Sequence, residues 1–347
     1  MNIQANMIFR RRLPLLLIPT SDRPGSPRNL YSLPDGQVYD LRLPVPHNTR
    51  CIGSCHGWLI FIEPISFMLT LFNPFYFGNE KGTIYLPPFS AAMDFSESET
   101  SYDVLPEYYI CKAVLSSDPV ASRNYTVMLI YGKCRNLAYY MSGDESWTCL
   151  DGNPLIDDLI YSDGRFTAID LCGELFVSDP EVNNPQLESI SAPLYSPTNH
   201  VPRRYIVESN DGNALLQVVK SFEFRPSSNG GIISRTLGFS VYKLGKKREM
   251  FDWLELSSIG DAALFVGDSH SYCVKASAFP GIIPNSIYFT DDYRGFSTSY
   301  SKNHQFRGPI DAGVFLIREQ SFRRHYNPVD VDMQRDLPPH IWILPTI

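Results

Sequence analysis

Short apolar runs rich in β-branched and aromatic residues recur along this chain, bounded by Gly, Pro, Asn and Asp, and helical spacing of apolar positions is nearly absent. "WLIFIE", "MLTLFNP", "YICKAVL", "YTVMLIYG", "NLAYYMSG" and "SWTCLD" follow one another between Trp58 and Asp151. Next come "LIYSDG", "RFTAID" and "GELFVSD", which read as three strands joined by tight turns. A Pro- and Asn-rich connection leads to "RYIVES", "ALLQVVKSF", "GFSVYKL" and "FDWLEL". "ALFVGD", "SYCVKA", "SIYFTDD", "GVFLIRE" and "HIWILP" close the series. The pattern predicts roughly 24 strands, and at four strands per blade this gives about six blades of a single all-β propeller.

No exact repeat is visible. The recurring unit is a grammar of strand, turn, strand and a polar, Pro-containing break. Two stretches lack any period and read as long inter-strand loops, Ser90 to Asp103 and Glu223 to Thr236. Long loops on one face of a propeller are where binding tends to reside. Nothing splits the chain into two domains. The two ends carry apolar strands that would otherwise leave open edges, so Leu13–Pro19 and Ile341–Pro345 are expected side by side in the closing blade.

Composition agrees with this reading. The 347 residues are 44% hydrophobic, enough for a substantial core, and the 20 Tyr, 21 Phe and 4 Trp suit strands better than helices. The formal net charge of -7 leaves no global footprint for nucleic acid. The basic clusters Phe9–Leu13, Leu244–Glu249 and Phe322–Tyr326 are short and read as solvated edges. The N-terminal "RRRLPLLLIP" imitates a signal peptide, but its apolar run is short, holds prolines and precedes no small-x-small cleavage site. No run approaches the length of a membrane span. Asn124-Tyr125-Thr126 is a glycosylation sequon by pattern only. Seven cysteines, an odd count without paired spacing, fit reduced thiols in an intracellular protein, in the cytoplasm or nucleus.

Three constellations could carry chemistry. Cys51, Cys55 and His56 crowd one turn, but zinc needs four ligands and no second ligand pair stands elsewhere. "GSCHGW" reads instead as a tight turn, with Gly53 and Gly57 supplying unusual backbone angles before the buried Trp58. Asp268, Ser269 and His270 lie in "GDSHSY" without a nucleophile elbow. The acid pairs Asp157–Asp158 and Asp291–Asp292 lack the spacing of a calcium loop and read as turn caps that accept backbone N–H bonds. A carbohydrate-binding or hydrolytic propeller using Asp291, Asp292 or His270 is the rival reading. No residue is assigned as catalytic, cofactor-binding or metal-binding, no cofactor is expected, and no partner-binding residue is singled out.

"RCIGSCHGWLIFIE", "LTLFNPF" with "IYLPP", "KAVLSSDP", "GDSHSYCVKASAFPGIIPNSIYFTDD", "DAGVFLIRE" and "PPHIWILP" occur in that order. Together they resemble the plant KIB-type β-propeller domain, which usually sits behind an F-box. The most specific part is Gly267–Asp292, whereas "SCHGWL" with "LFNP" is shared more loosely by other F-box-associated domains. The resemblance implies a non-enzymatic substrate receptor of a cullin–RING ubiquitin ligase, in which the F-box docks on the Skp adaptor and the propeller presents an unknown target protein. Residues 1–12 are too short for the helical, Leu-rich F-box, so the expected organisation is a short extension over 1–12 and the propeller over 13–347. The expected partners are then the target alone, without the Skp adaptor, nucleic acid or membrane. A truncated form or a decoy that binds targets without delivering them follows from that organisation.

Overall fold

The computed structural model describes residues 14–18, 28–34, 36–41, 43, 45, 49–63, 65–76, 80–89, 109–179, 185–194, 202–226, 232–247, 250–290, 292, 311–323 and 340–343. Runs such as "WLIFI" and "TVMLIY" are apolar at successive positions rather than alternate ones. A strand so written must bury both faces, which an antiparallel sheet achieves only when packed between two others. Six such sheets stand around one axis.

The first sheet contains β1 (Leu15–Ile18), β2 (Arg28–Ser32) and β3 (Gln37–Leu41). The second runs β4 (Arg50–Cys55), β5 (Trp58–Ile62), β6 (Leu69–Phe72) and β7 (Thr83–Tyr85). The third runs β8 (Ile110–Leu115), β9 (Thr126–Tyr131), β10 (Asn136–Met141) and β11 (Thr148–Leu150). The fourth holds β12 (Ile156–Ser162), β13 (Arg165–Asp170), β14 (Leu175–Ser178) and β15 (Glu188–Ser189). The fifth holds β16 (Arg203–Glu208), β17 (Leu215–Pro226), β18 (Ile232–Lys247) and β19 (Met250–Leu256). The sixth comprises β20 (Ala262–Val266), β21 (Tyr272–Lys275), β22 (Ser286–Phe289), β23 (Gly313–Leu316) and β24 (Ser321–Arg323). The last strand, β25 (Ile341–Ile343), returns to the first sheet.

That return closes the ring: Leu15, Leu16 and Leu17 pair antiparallel with Ile343, Trp342 and Ile341. The "LLLI" of the N-terminus is therefore a fully buried propeller strand. Apolar seams fill the spaces between blades. Leu17 and Leu30 meet Phe61 and Phe72 at the first seam, and Phe265 meets Tyr272, Tyr288 and Trp342 at the last. Three tryptophans also reach across blades with their indole N–H. Trp58 donates to Asp118 at 2.8 Å, Trp147 to the Pro87 carbonyl at 2.8 Å and Trp253 to the Gly173 carbonyl at 2.9 Å.

The expected six blades are present, five of four strands and the sixth with a fifth strand and one parallel pair, β20 with β22. One expectation needs correcting here. The supposed loop over Glu223–Thr236 is largely strand: Glu223–Pro226 completes β17, Ile232–Thr236 begins β18, and Phe222 to Pro226 pair with Thr236 to Ile232. Its polar composition concealed a hairpin, because the stretch mixes Phe, Glu and Arg with Pro, Ser, Asn and Gly and carries no apolar run. The other expected loop, Ser90–Asp103, lies outside the described residues.

Candidate functional site

The innermost strands β4, β8, β12, β16, β21 and β25 line the axis. Their starting ends form one face of the ring, and four of the residues singled out from the sequence, Asp157, Asp158, Asp268 and Asp292, gather there. Strand starts are near this face in β4 (Arg50), β8 (Lys112), β12 (Asp157, Asp158) and β16 (Arg203). Asp268 precedes β21, Asp292 follows β22 and Asp311 precedes β23.

These groups form a circuit of buried ion pairs. Asp268 of the sixth blade pairs with Arg50 of the second, whose guanidinium also donates to the Ile110 carbonyl at 3.0 Å and the Cys111 carbonyl at 3.3 Å in the third. Lys112 of the third blade holds Asp158 of the fourth at 2.5 Å. Asp157 takes Arg203 of the fifth at 2.7 Å, with Arg135 at 3.8 Å. Arg203 reaches Asp292 at 3.5 Å, and Lys220 binds Asp292 at 2.6 Å and Asp311 at 3.4 Å, returning to the sixth blade. Tyr205 donates its hydroxyl to Asp292 as well. Five cations, Arg50, Lys112, Arg135, Arg203 and Lys220, thus meet five carboxylates, Asp157, Asp158, Asp268, Asp292 and Asp311. Burial of paired, hydrogen-bonded charges of this kind is tolerated because each has its counter-charge in place.

The electrostatics follow from burial and pairing. Burial opposes charge at Asp292, but Lys220 and Arg203 outweigh it and hold this carboxyl below the ordinary carboxylate range. At Asp268 burial wins over Arg50 and raises the carboxyl. Arg203 is pushed down by burial and more strongly up by Asp157 and Asp292.

A recurring backbone device aims these side chains. The inner strands β4, β8 and β12 each carry an irregularity one or two residues after they begin, at Ile52, Cys111 and Asp157. Such a bulge adds a residue and turns the next side chain to the other face. In β12 it lets two adjacent carboxylates address the same neighbouring strand: Asp157 accepts the Arg204 N–H at 2.7 Å and Asp158 the Ile206 N–H at 2.9 Å. The pair does accept backbone N–H bonds, but from the next blade and not from a turn. Asp292 likewise takes Lys220, Arg203 and Tyr205 instead of capping a turn, and Asp291 lies outside the described residues.

The Cys51–His56 cluster is taken apart by the same device. Cys51 packs into the seam with the first blade and Cys55 into the seam with the third, on opposite faces of the sheet. The Cys51 thiol turns to the Gly53 carbonyl at 3.4 Å, and burial pushes it up to about 12. His56 is exposed on a two-residue hairpin turn with Gly57, at φ 52° and 78°. Gly57 therefore has the expected turn role. Gly53 does not: it lies inside β4, where a Cβ would stand 2.2 Å from the Ala113 carbonyl oxygen of the next blade, so it permits close approach of two inner strands.

Cys55 Sγ lies 4.0 Å from His270 Nδ1. Burial raises the thiol and lowers the imidazole to about 3, so the pair is neutral and unlike an activated thiolate–imidazolium. Ser269 is buried, and no hydrogen bond joins it to His270. The cations Arg50, Lys112, Arg203 and Lys220 were not singled out from the sequence. Their signal was a lone charge inside an apolar strand, as in "ICKAVL" and "LLQVVKSF".

On the opposite face, Ser258, Ile283, Asn285, Leu316, Arg318 and Arg323 line an open groove of about 480 Å³ between the fifth and sixth blades. Among the described residues no helix is long and apolar enough to cross a membrane.

The chain is similar to several F-box proteins of Arabidopsis thaliana. It is 27% identical to the putative F-box protein At5g55150 over 274 residues, covering 77% of this chain and 70% of that protein. It is 24% identical to F-box protein SKIP23, covering 78% and 73%, and 26% identical to F-box protein At2g26160, covering 70% and 75%. Among solved structures, a streptogramin B lyase aligns over 71% of this chain and 83% of its own at 13% identity and a TM-score of 0.35, a likeness that carries no argument. The profile of the KIB1-4 beta-propeller matches residues 30–315, and the chain belongs to that family.

Proposed function

We propose that this propeller is a non-enzymatic protein-interaction module, equivalent to the substrate-recognition half of plant F-box receptors of cullin–RING ligases. The observation that carries the reading is that the relatives sharing the propeller are F-box proteins. The site supports it over the hydrolytic alternative, because Asp157, Asp158, Asp268 and Asp292 are occupied in holding blades together. We place the interaction function in residues 13–347 and none in residues 1–12. Intracellular residence, in cytoplasm or nucleus, is supported by seven cysteines, none of which is joined in a disulfide.

Affinity purification of the tagged chain from plant cells, scored for Skp adaptor, cullin and candidate targets, is the test. These 347 residues by themselves are expected to capture a target and no Skp adaptor, and their overexpression is expected to protect that target from degradation by a full-length relative. Stoichiometric capture of purified Skp adaptor would overturn the decoy reading. Turnover of a glycan or ester that Asp292→Asn abolishes would overturn the interaction reading itself.

A further inference from the structure

The open groove on the face opposite the ion circuit lies where three segments meet: Ser258–Gly260 between β19 and β20, Ile283–Asn285 before β22, and the β23–β24 hairpin from Leu316 to Arg323. Asn285 ties the three together. Its backbone N–H donates to the Ala262 carbonyl at 2.8 Å, and its carbonyl accepts the Ile317 N–H at 3.2 Å. Its side-chain oxygen accepts the Ile259 N–H at 2.8 Å and the Ser258 hydroxyl at 3.1 Å. Only the oxygen of a carboxamide can accept a backbone N–H, so these bonds fix which way the amide points. The Nδ2 donor is left without a partner among the described residues, on a side chain that lines the groove.

The hairpin brings the charge. Arg318 and Arg323 are exposed, line the same groove and have no carboxylate within ion-pair distance among the described residues. Gln320, at φ 48°, closes the turn between them by donating from Nε2 to the Ile317 carbonyl at 2.7 Å. The donors therefore stand on a braced frame. Glu319 also lines the groove, so two cations face one anion there, and Ile283 and Leu316 add apolar surface.

We propose, resting on the interaction reading above, that this groove binds an extended peptide segment of the partner protein bearing a single acidic side chain. The forked guanidinium donors of Arg318 and Arg323 match a carboxylate, and the oriented Asn285 amide matches a main-chain carbonyl of the segment. Glu319 sets the number of charges: one carboxylate leaves the lining balanced, whereas a polyanion meets like charge. The volume of about 480 Å³ suits a ligand cleft, for which roughly 300–1,000 Å³ is usual.

The test uses the full chain and, as probe, a phage-displayed library of random dodecapeptides. Peptides enriched on the intact protein are expected to share one Asp or Glu. A synthetic copy of an enriched peptide is expected to bind about tenfold more weakly when that acid is changed to its amide, and about tenfold more weakly to the Arg318→Met, Arg323→Met double variant. The change in the peptide reads the same contact without altering the protein. Glu319→Gln is expected to bind poly-glutamate more tightly than the intact chain does. Failure to enrich an acid-bearing peptide, undiminished affinity in the double variant, or poly-glutamate bound by the intact chain as tightly as the selected peptide would overturn the proposal. Capture of the same target by the double variant in the affinity purification overturns the groove and leaves the receptor reading standing. Peptide binding that meets these expectations, with no target captured from plant cells, supports the groove and overturns the receptor reading instead.

Discussion

At the scale of single residues, the buried charges decide stability more than any candidate chemistry. Removing one member of a buried pair strands the other in a medium that solvates it poorly, at a cost of about 3–5 kcal/mol. Lys112→Met is therefore expected to destabilise by that amount, since among the described residues Asp158 then keeps the Ile206 N–H alone as a hydrogen-bond donor. Adding Asp158→Asn is expected to recover part of the loss, and urea unfolding of both variants measures this coupling. The histidines supply a pH dependence. Burial lowers His270 to about 3 and His340 to about 4 from an ordinary 6.5, so the unfolded chain takes up their protons first as pH falls. Their contribution to stability is full above pH 6.5 and is lost as pH falls towards those values, at about 1.4 kcal/mol per pH unit for each histidine. Urea unfolding at pH 7, 6 and 5 should show this slope, and the His270→Gln, His340→Gln double variant should flatten it. An unaltered slope would assign the acid sensitivity elsewhere.

At the scale of elements, the closing strand is the critical piece. β25 is three buried residues, yet it supplies the inner edge of the first blade and packs Trp342 against Phe265. Deleting Pro338–Ile347 exposes the inner edge of β1 and opens two seams at once. The shortened chain is expected to melt several degrees lower or to be insoluble, and a melting curve like that of the intact protein would refute the closure role. Most strands were legible because continuous apolar runs between turn residues have few other readings. The β17–β18 hairpin was not legible beyond Phe222, because its pairing continues where composition becomes polar. The last residues of β4, Gly53–Cys55, read as part of a turn for a related reason: Gly53 and Gly57 both suggest bends, but Gly53 serves a contact with another blade.

At the scale of the molecule, the ring couples all six blades, so opening at one seam exposes groups at others. Cys134 and Cys172 are exposed, whereas Cys51 and Cys55 are buried in the seams on either side of the second blade. A thiol reagent is expected to modify Cys134 and Cys172 rapidly in the native protein, and Cys51 and Cys55 only at the rate of ring opening. The chain lacking β25 should release Cys51 faster, since its seam includes Ile341 and Ile343. Equal labelling rates for all four thiols in the intact protein would mean that the ring does not behave as a closed unit.

The family was legible as a resemblance of whole motifs, and local pattern by itself determined the all-β class, the approximate blade number and the joining of the two ends. Each of these depends on apolar runs and turn residues whose meaning is set within a few positions. What only the tertiary structure decided was the role of the charged and sulfur-bearing residues. Asp158 finds Lys112 46 positions away, and Asp268 finds Arg50 218 positions away. A bulge at Ile52 sends Cys51 and Cys55 to opposite seams although four positions separate them. A buried charge takes its function from the counter-charge beside it, and in a closed ring that neighbour comes from another blade.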